Sequence, residues 1–336
     1  MFIKFFLIST VLCLPACLDT KKKAEHIKVI TDPKKTIRPS KINVWPIERI
    51  PMIQTFINNH LARGFNPAEI LVIFDVDETL LENYAIKNNR EKQLLASSLF
   101  PHIANNILIK NIPDYLVKKI GINNIDINKP DNLLKYVDKS LIDTTVIKTL
   151  NIIVDLYNKG LLNTKATELH IGKFIQSLQK RGIHTMALTA RIAALKEKTA
   201  LQLQNAKINF SDKAIYDKEI KFINKHHSFS NGVLFSGIDK GKILLELLQA
   251  IDYSPTLVIF VDDNAHFIDN VRKALLKKYP NVIFYGLHYI FKAKNEFDSE
   301  LAESLLISSS GKKWWALDNS NMPIGTKKES SKQSLQ

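Results

Sequence analysis

The chain has 336 residues, with 47 Lys and Arg against 33 Asp and Glu, a formal charge of +14, and 45% hydrophobic residues. That mixture can bury a core and excludes wholesale disorder, and the length suits one core with an insert or two domains. Only Cys13 and Cys17 occur, both near the start, so a disulfide framework, a cysteine zinc site and a thiol nucleophile are excluded from the body. The charge admits nucleic acid, an anionic membrane or a phosphorylated substrate as partner, and by itself does not choose.

Residues 1–17 carry Lys4 ahead of a ten-residue, largely apolar run, Phe5 to Leu14, followed by small residues. The run is too short to span a bilayer with ease and reads as a signal peptide. Leu14-Pro15-Ala16-Cys17 resembles the bacterial lipobox, which implies an exported envelope protein lipidated at Cys17. The alternative is secretion after simple cleavage behind Ala16. Residues 18–45, rich in Lys, Thr and Pro, read as a flexible basic tether, and residues 311–336 as a polar tail.

In the body, Pro51 to Leu61 has helical apolar spacing and stops near Gly64. Leu71 to Phe74 is a short apolar run of the kind that forms a buried parallel strand. Residues 83–165 hold apolar runs at helical spacing and few strand signals, and read as a helical insert. The alternation then resumes: a helix over 166–181, a strand at Thr185–Leu188, a helix from Ile243 to Ile251, a strand at Leu257–Val261, a helix from Arg272 to Lys278 and a strand at Val282–Tyr285. Asn231-Gly232 is a possible hairpin turn. The pattern predicts an open parallel α/β sheet, whose ligands sit at the carboxyl ends of the strands.

The chemistry-bearing residues fall there. Asp75-Val76-Asp77-Glu78-Thr79 follows the first strand, Thr189 the second and Asp262-Asp263 the third, while Lys240 precedes Gly241 at the start of a helix. Clustered carboxylates are unfavourable unless a cation or proton compensates them, and hard oxygen ligands suit Mg²⁺. A carboxylate nucleophile, a second carboxylate, a hydroxyl, a lysine and an acidic pair are the parts of phosphoryl transfer through an aspartyl-phosphate.

In this order the residues resemble the four motifs of the haloacid dehalogenase superfamily, over about residues 46–310. The stretch from Phe74 to Asn83 is similar to the first motif of class B and class C acid phosphatases. Leu188-Thr189-Ala190-Arg191 and Phe260-Val261-Asp262-Asp263-Asn264 are more similar to the DUF2608 family. The resemblance implies a Rossmann-like three-layer sandwich built from residues 46–82 and 166–310, with residues 83–165 as a helical cap. It implies Asp75 as nucleophile and Mg²⁺ ligand, and Asp77 as general acid and base whose carbonyl also binds the metal. Thr189 would bind the phosphoryl oxygens and Lys240 would neutralise charge, with Lys242 as its rival. Asp262 and Asp263 would complete the metal site.

The implied activity is a Mg²⁺-dependent phosphatase for small phosphomonoesters. Alternatives are another phosphotransferase such as a phosphomutase, or an exported interaction protein with little turnover. The excess positive charge lies in the tether, the insert and the tail, while the core balances. That distribution favours anionic membrane and anionic substrate over nucleic acid. Trp314-Trp315 after Lys312-Lys313 is either an interfacial anchor or a packing segment. His226-His227 has no third ligand at suitable spacing and reads as a solvated loop.

Overall fold

A computed structural model of the chain describes residues 44–120, 139–290 and 297–317, which group into two compact units. The expected signal peptide, with Cys17 and most of the tether, lies outside the described residues, as do 121–138 within the insert and the tail from residue 318.

The larger unit is organised by strand β2 (Ile70–Phe74), whose five apolar side chains are all fully buried. Burying each such side chain contributes about 1.5–3 kcal/mol, and a strand apolar on both faces is stable only between layers. Beside it lie β6 (His184–Thr189) and β10 (Leu257–Asp262), both parallel to it, so the three strands end together. The eight-stranded sheet has the order β1-β11-β10-β2-β6-β9-β8-β7, with β1 at Val44–Ile47, β7 at Ile220–Lys221, β8 at Ser228–Ser230, β9 at Val233–Phe235 and β11 at Ile283–Tyr289. Only β8 runs against the rest of the sheet, antiparallel to both of its neighbours, β7 and β9. Helices α1 (Ile53–Leu61), α4 (Ile171–Lys180), α5 (Lys196–Asn205), α6 (Lys240–Ala250) and α7 (Ala265–Lys278) complete this unit. The fold is α/β with a parallel-dominated sheet, as expected.

Several expectations are corrected. Val44 and Trp45, assigned to the tether, belong to β1, which pairs in parallel with β11. Trp45 reaches Phe56 and Tyr285, and this contact gives the segment an apolar reason to order. The insert is not helical throughout: β3 (Leu81–Lys87), β4 (Arg90–Gln93) and β5 (Asn163–Ala166) form a separate antiparallel sheet at its two ends. The wholly polar run Arg-Glu-Lys-Gln hides strand β4, which is satisfied by charged contacts such as Glu91 with Lys165 of β5, reaching across β3, rather than by burial. The Asn231-Gly232 turn is present, with φ of +51° and +73°, and joins β8 to β9. A side chain at Gly232 would stand 2.5 Å from the Cβ of Phe210, so glycine is required there.

The second unit is helical. It contains α2 (Ala96–Ile120), α3 (Lys139–Asn158) and α8 (Ser299–Ser310). Placing α8 here corrects its assignment to the core: Ser309 bonds Asp155 of α3, and Lys159 bonds the Ser309 carbonyl at 2.5 Å. Residues 311–317, expected as tail, are docked as well. Trp314 is buried, and its indole donates to Glu303 at 3.0 Å. Asn111 of α2 donates to the Trp315 carbonyl at 3.0 Å and accepts from the Leu317 amide at 3.2 Å. Packing, rather than membrane anchoring, occupies Trp314. No described helix is long and apolar enough to cross a membrane.

Candidate active site

The site lies where β2, β6 and β10 end. The first motif leaves β2 in a tight turn: the Leu80 and Leu81 amides return to the Val76 carbonyl, at 3.0 and 2.8 Å. Glu78 takes a left-handed φ of +62°, a strained position for a side-chain-bearing residue. Thr79, fully buried, accepts from the Asp263 amide at 3.1 Å and so ties the first motif to the loop after β10.

That tie brings carboxylates together. Asp75, Asp262 and Asp263 each offer an oxygen, and these oxygens lie within 4.8 Å of one another. Asp262 is fully buried; one of its oxygens accepts from the Asn264 amide at 2.8 Å. His288, opposite Asp262 on β11, lies 2.8 Å from the Asp263 carbonyl through Nε2, which puts that ring proton on Nε2.

Lys240 enters from the first turn of α6. Its ammonium bonds Asp75 Oδ1 at 2.5 Å and Asp262 Oδ2 at 2.7 Å and sits 4.5 Å from the centre of the Phe267 ring. The adjacent glycine permits this entry: a Cβ at Gly241 would stand 2.6 Å from the Asn270 carbonyl of α7. Asn270 fixes the turn further by accepting from the Gly241 amide at 2.6 Å. Lys242 points away, to Glu246 at 3.7 Å on the surface, so the lysine position belongs to Lys240.

Three carboxylates against one ammonium leave two negative charges unmatched if all ionise. Burial pushes the Asp75 carboxyl up to about 8, with Asp262 and Asp77 adding to the rise and Lys240 opposing it. Burial likewise raises Asp262 against the pull of Lys240, and raises Asp263 with help from Asp262, Asp75 and Glu78. Burial pulls Lys240 down, but Asp262 and Asp75 outweigh it and hold the ammonium charged. A hard divalent cation would replace the protons that this arrangement otherwise retains.

Asp77 is met differently. Its carboxylate lies outside the three-carboxylate group and accepts both arms of the Arg191 guanidinium, Nε to Oδ2 at 2.9 Å and Nη2 to Oδ1 at 2.8 Å. Thr189 is fully buried at the end of β6; its hydroxyl oxygen accepts from the Arg191 amide at 3.1 Å, and its carbonyl accepts from Ser236 at 2.8 Å. Sequence reasoning assigned no role to Arg191 or to Thr79, although both stand in the quoted motifs; their partners are distant in sequence. His226 is exposed, and neither it nor His227 belongs to a metal-capable group among the described residues. A cavity of about 810 Å³ along α5, bordered by Lys196, Leu201, Lys207 and Phe210, contains none of the expected site residues.

Fold and site together define an α/β protein with an acidic, cation-deficient centre at the carboxyl end of a parallel sheet. Residues 127–315 match the family described as protein of unknown function, DUF2608. The match exceeds half of the chain, and the chain belongs to that family. It takes in Thr189, Lys240, Asp262 and Asp263 but begins after Asp75 and Asp77. A search of the curated proteins found no match. Among solved structures, a haloacid dehalogenase-like hydrolase from Streptococcus pneumoniae is 16% identical, with 65% of this chain and 94% of that one covered and a TM-score of 0.31. A candidate phosphatase from Clostridium difficile is 15% identical, with 60% and 80% covered and a TM-score of 0.31. Likeness at that level carries no weight for the chemistry of this chain.

Proposed function

We propose that this protein is a Mg²⁺-dependent phosphatase of the haloacid dehalogenase type, acting on small phosphomonoesters. The observation that carries the reading is the group of buried Asp75 and Asp262, which share the single ammonium of Lys240, with the half-buried Asp263 beside them. The oxygen-only donors and their unmatched charge fit Mg²⁺, held by these three carboxylates, which would neutralise the phosphoryl oxygens during transfer.

Asp75 would attack phosphorus through a carboxylate oxygen. The bond from phosphorus to the ester oxygen breaks with its electron pair, and Asp77, protonated on one oxygen while the other keeps its bond to Arg191, supplies the proton as the alcohol departs and returns to the carboxylate that Arg191 holds by both oxygens. Asp77 then takes a proton from water, whose oxygen attacks phosphorus, releases phosphate and restores Asp75. Thr189 would donate to a phosphoryl oxygen. Lys240 would hold Asp75 in place and offset the charge that develops. We assign selection of the substrate to the helical insert because it interrupts the chain between Asp77 and Thr189. The leader and basic tether support export and an envelope location at an anionic membrane, which mass spectrometry of the mature amino terminus would test at Cys17.

The purified protein should hydrolyse p-nitrophenyl phosphate with Mg²⁺, and Asp75→Asn or chelation should abolish the activity. Turnover that survives both would sink the mechanism. No turnover across a broad phosphometabolite panel would favour a binding role.

A further inference from the structure

Arg191 makes more polar contacts than any group the mechanism above uses. Besides the two bonds to Asp77, its Nη1 donates to Thr199 Oγ1 at 2.9 Å and to Gln202 Oε1 at 2.5 Å. Thr199 and Gln202 stand three residues apart on one side of α5, and both are buried. The Arg191 side chain is 5% exposed and that of Asp77 22%. A guanidinium is planar and presents its donors as a rigid fork. Here one edge grips the carboxylate, and the opposite nitrogen is anchored to a helix by two neutral acceptors. The fork therefore cannot swing, and the direction of the Asp77 carboxylate is set from α5.

The same residue acts on Thr189 through its backbone. Because the Arg191 amide occupies an acceptor site of the Thr189 hydroxyl oxygen, the hydroxyl hydrogen remains to be donated elsewhere. Two groups expected to face the phosphoryl centre are thus oriented by one residue that itself need not touch substrate.

We propose that Arg191, backed by Thr199 and Gln202, is the positioning residue of this site, and that through Asp77 it determines which leaving groups can be expelled. The inference rests on the phosphatase reading, in which Asp77 delivers the proton. An alkoxide departs poorly without that proton, whereas p-nitrophenolate needs little help. Loss of the fork should therefore affect alkyl phosphates far more than aryl phosphates.

The experiment compares glycerol phosphate with p-nitrophenyl phosphate in the full-length protein, for wild type, Arg191→Gln, Arg191→Lys, Gln202→Ala, Asp77→Asn and the Arg191→Gln/Asp77→Asn double variant. Positioned proton transfer is worth on the order of 10²–10⁴-fold. Arg191→Gln should lower kcat/KM, which reports attack by Asp75 and not the later hydrolysis that both esters share, by about 10²-fold on the alkyl ester and by about tenfold or less on the aryl ester. Arg191→Lys, which keeps charge but lacks the fork, should behave alike, and Gln202→Ala should fall between. In the Asp77→Asn background the Arg191 change should have little further effect on the alkyl ester. Circular dichroism and a thermal melt report that each variant is folded.

Equal losses on both substrates, or losses that multiply independently in the double variant, would overturn the positioning role and leave the phosphatase reading intact. Wild-type protein no more active than Asp75→Asn on either ester would remove both.

Discussion

Asp75 and Asp77 stand two residues apart, yet their charges are met in opposite ways. Asp77 faces a guanidinium that fills both of its oxygens, a closed pair of one charge against one. Asp75 shares a single ammonium with Asp262, and Asp263 stands beside them, so that region is short of positive charge. A closed pair holds a geometry; an open one waits for a cation. Under the proposed function, the difference assigns Asp75, Asp262 and Asp263 to the cation and keeps Asp77 for proton transfer.

The strongest way to break the comparison is to neutralise its open side. Asp75→Asn should reduce Mg²⁺-dependent hydrolysis by at least about 10³-fold, because a nucleophile has no substitute; steady-state rates measure this. Lys240→Met should lower kcat by roughly 10²–10³-fold. In metal-free protein it should also destabilise the fold by about 3–5 kcal/mol, since it strands the buried carboxylates, as read by urea unfolding.

Metal sharpens the contrast further. At one hundred times its dissociation constant, Mg²⁺ should stabilise the protein by about 2.7 kcal/mol. Asp262→Asn should lose that gain, and Asp77→Asn should keep it, because the closed pair contributes no carboxylate to the cation. Thermal melts with and without Mg²⁺ distinguish the two, and an Mg²⁺ response lost equally in both variants would erase the distinction.

A pH dependence follows from the same protons. Burial pushes the Asp75 carboxyl up to about 8 in the folded, metal-free protein, from its ordinary 3.8. The folded state therefore binds more protons between these limits, so stability is fullest below about 4 and declines as pH rises towards 8. Chelated protein should lose on the order of several kcal/mol across that window, and Mg²⁺ should restore most of it at the alkaline end. Denaturant titrations at pH 5 and 8 check the sign. The smallest effect belongs to Lys242→Ala, whose exposed side chain should change turnover by less than about twofold and stability within about 0.5 kcal/mol.

Much of the site was legible because its residues follow short apolar strands. The runs at 71–74, 185–188 and 257–261 announce buried parallel strands, and parallel strands that end together gather whatever follows them. The DUF2608 resemblance was legible in the stretches around Thr189 and Asp262. The three-stranded sheet was not, because β4 is wholly polar and β5 has a single apolar residue, Ala166, so neither shows the buried face that alternation would reveal. The placement of α8 was not legible either: its apolar spacing states that it has a partner, and the bonds of Ser309 to Asp155 of α3 and to Lys159 just past its end identify that partner.

The sequence by itself determined the class of fold, the charge distribution and the inventory of reactive groups, because each is written in local composition and spacing. The tertiary structure alone decided how those groups divide. Asp77 pairs with Arg191 across 114 positions, and Asp75 with Lys240 across 165. No local pattern encodes such distances: they arise when side-by-side strands bring remote turns to one edge, where burial makes every charge find a partner.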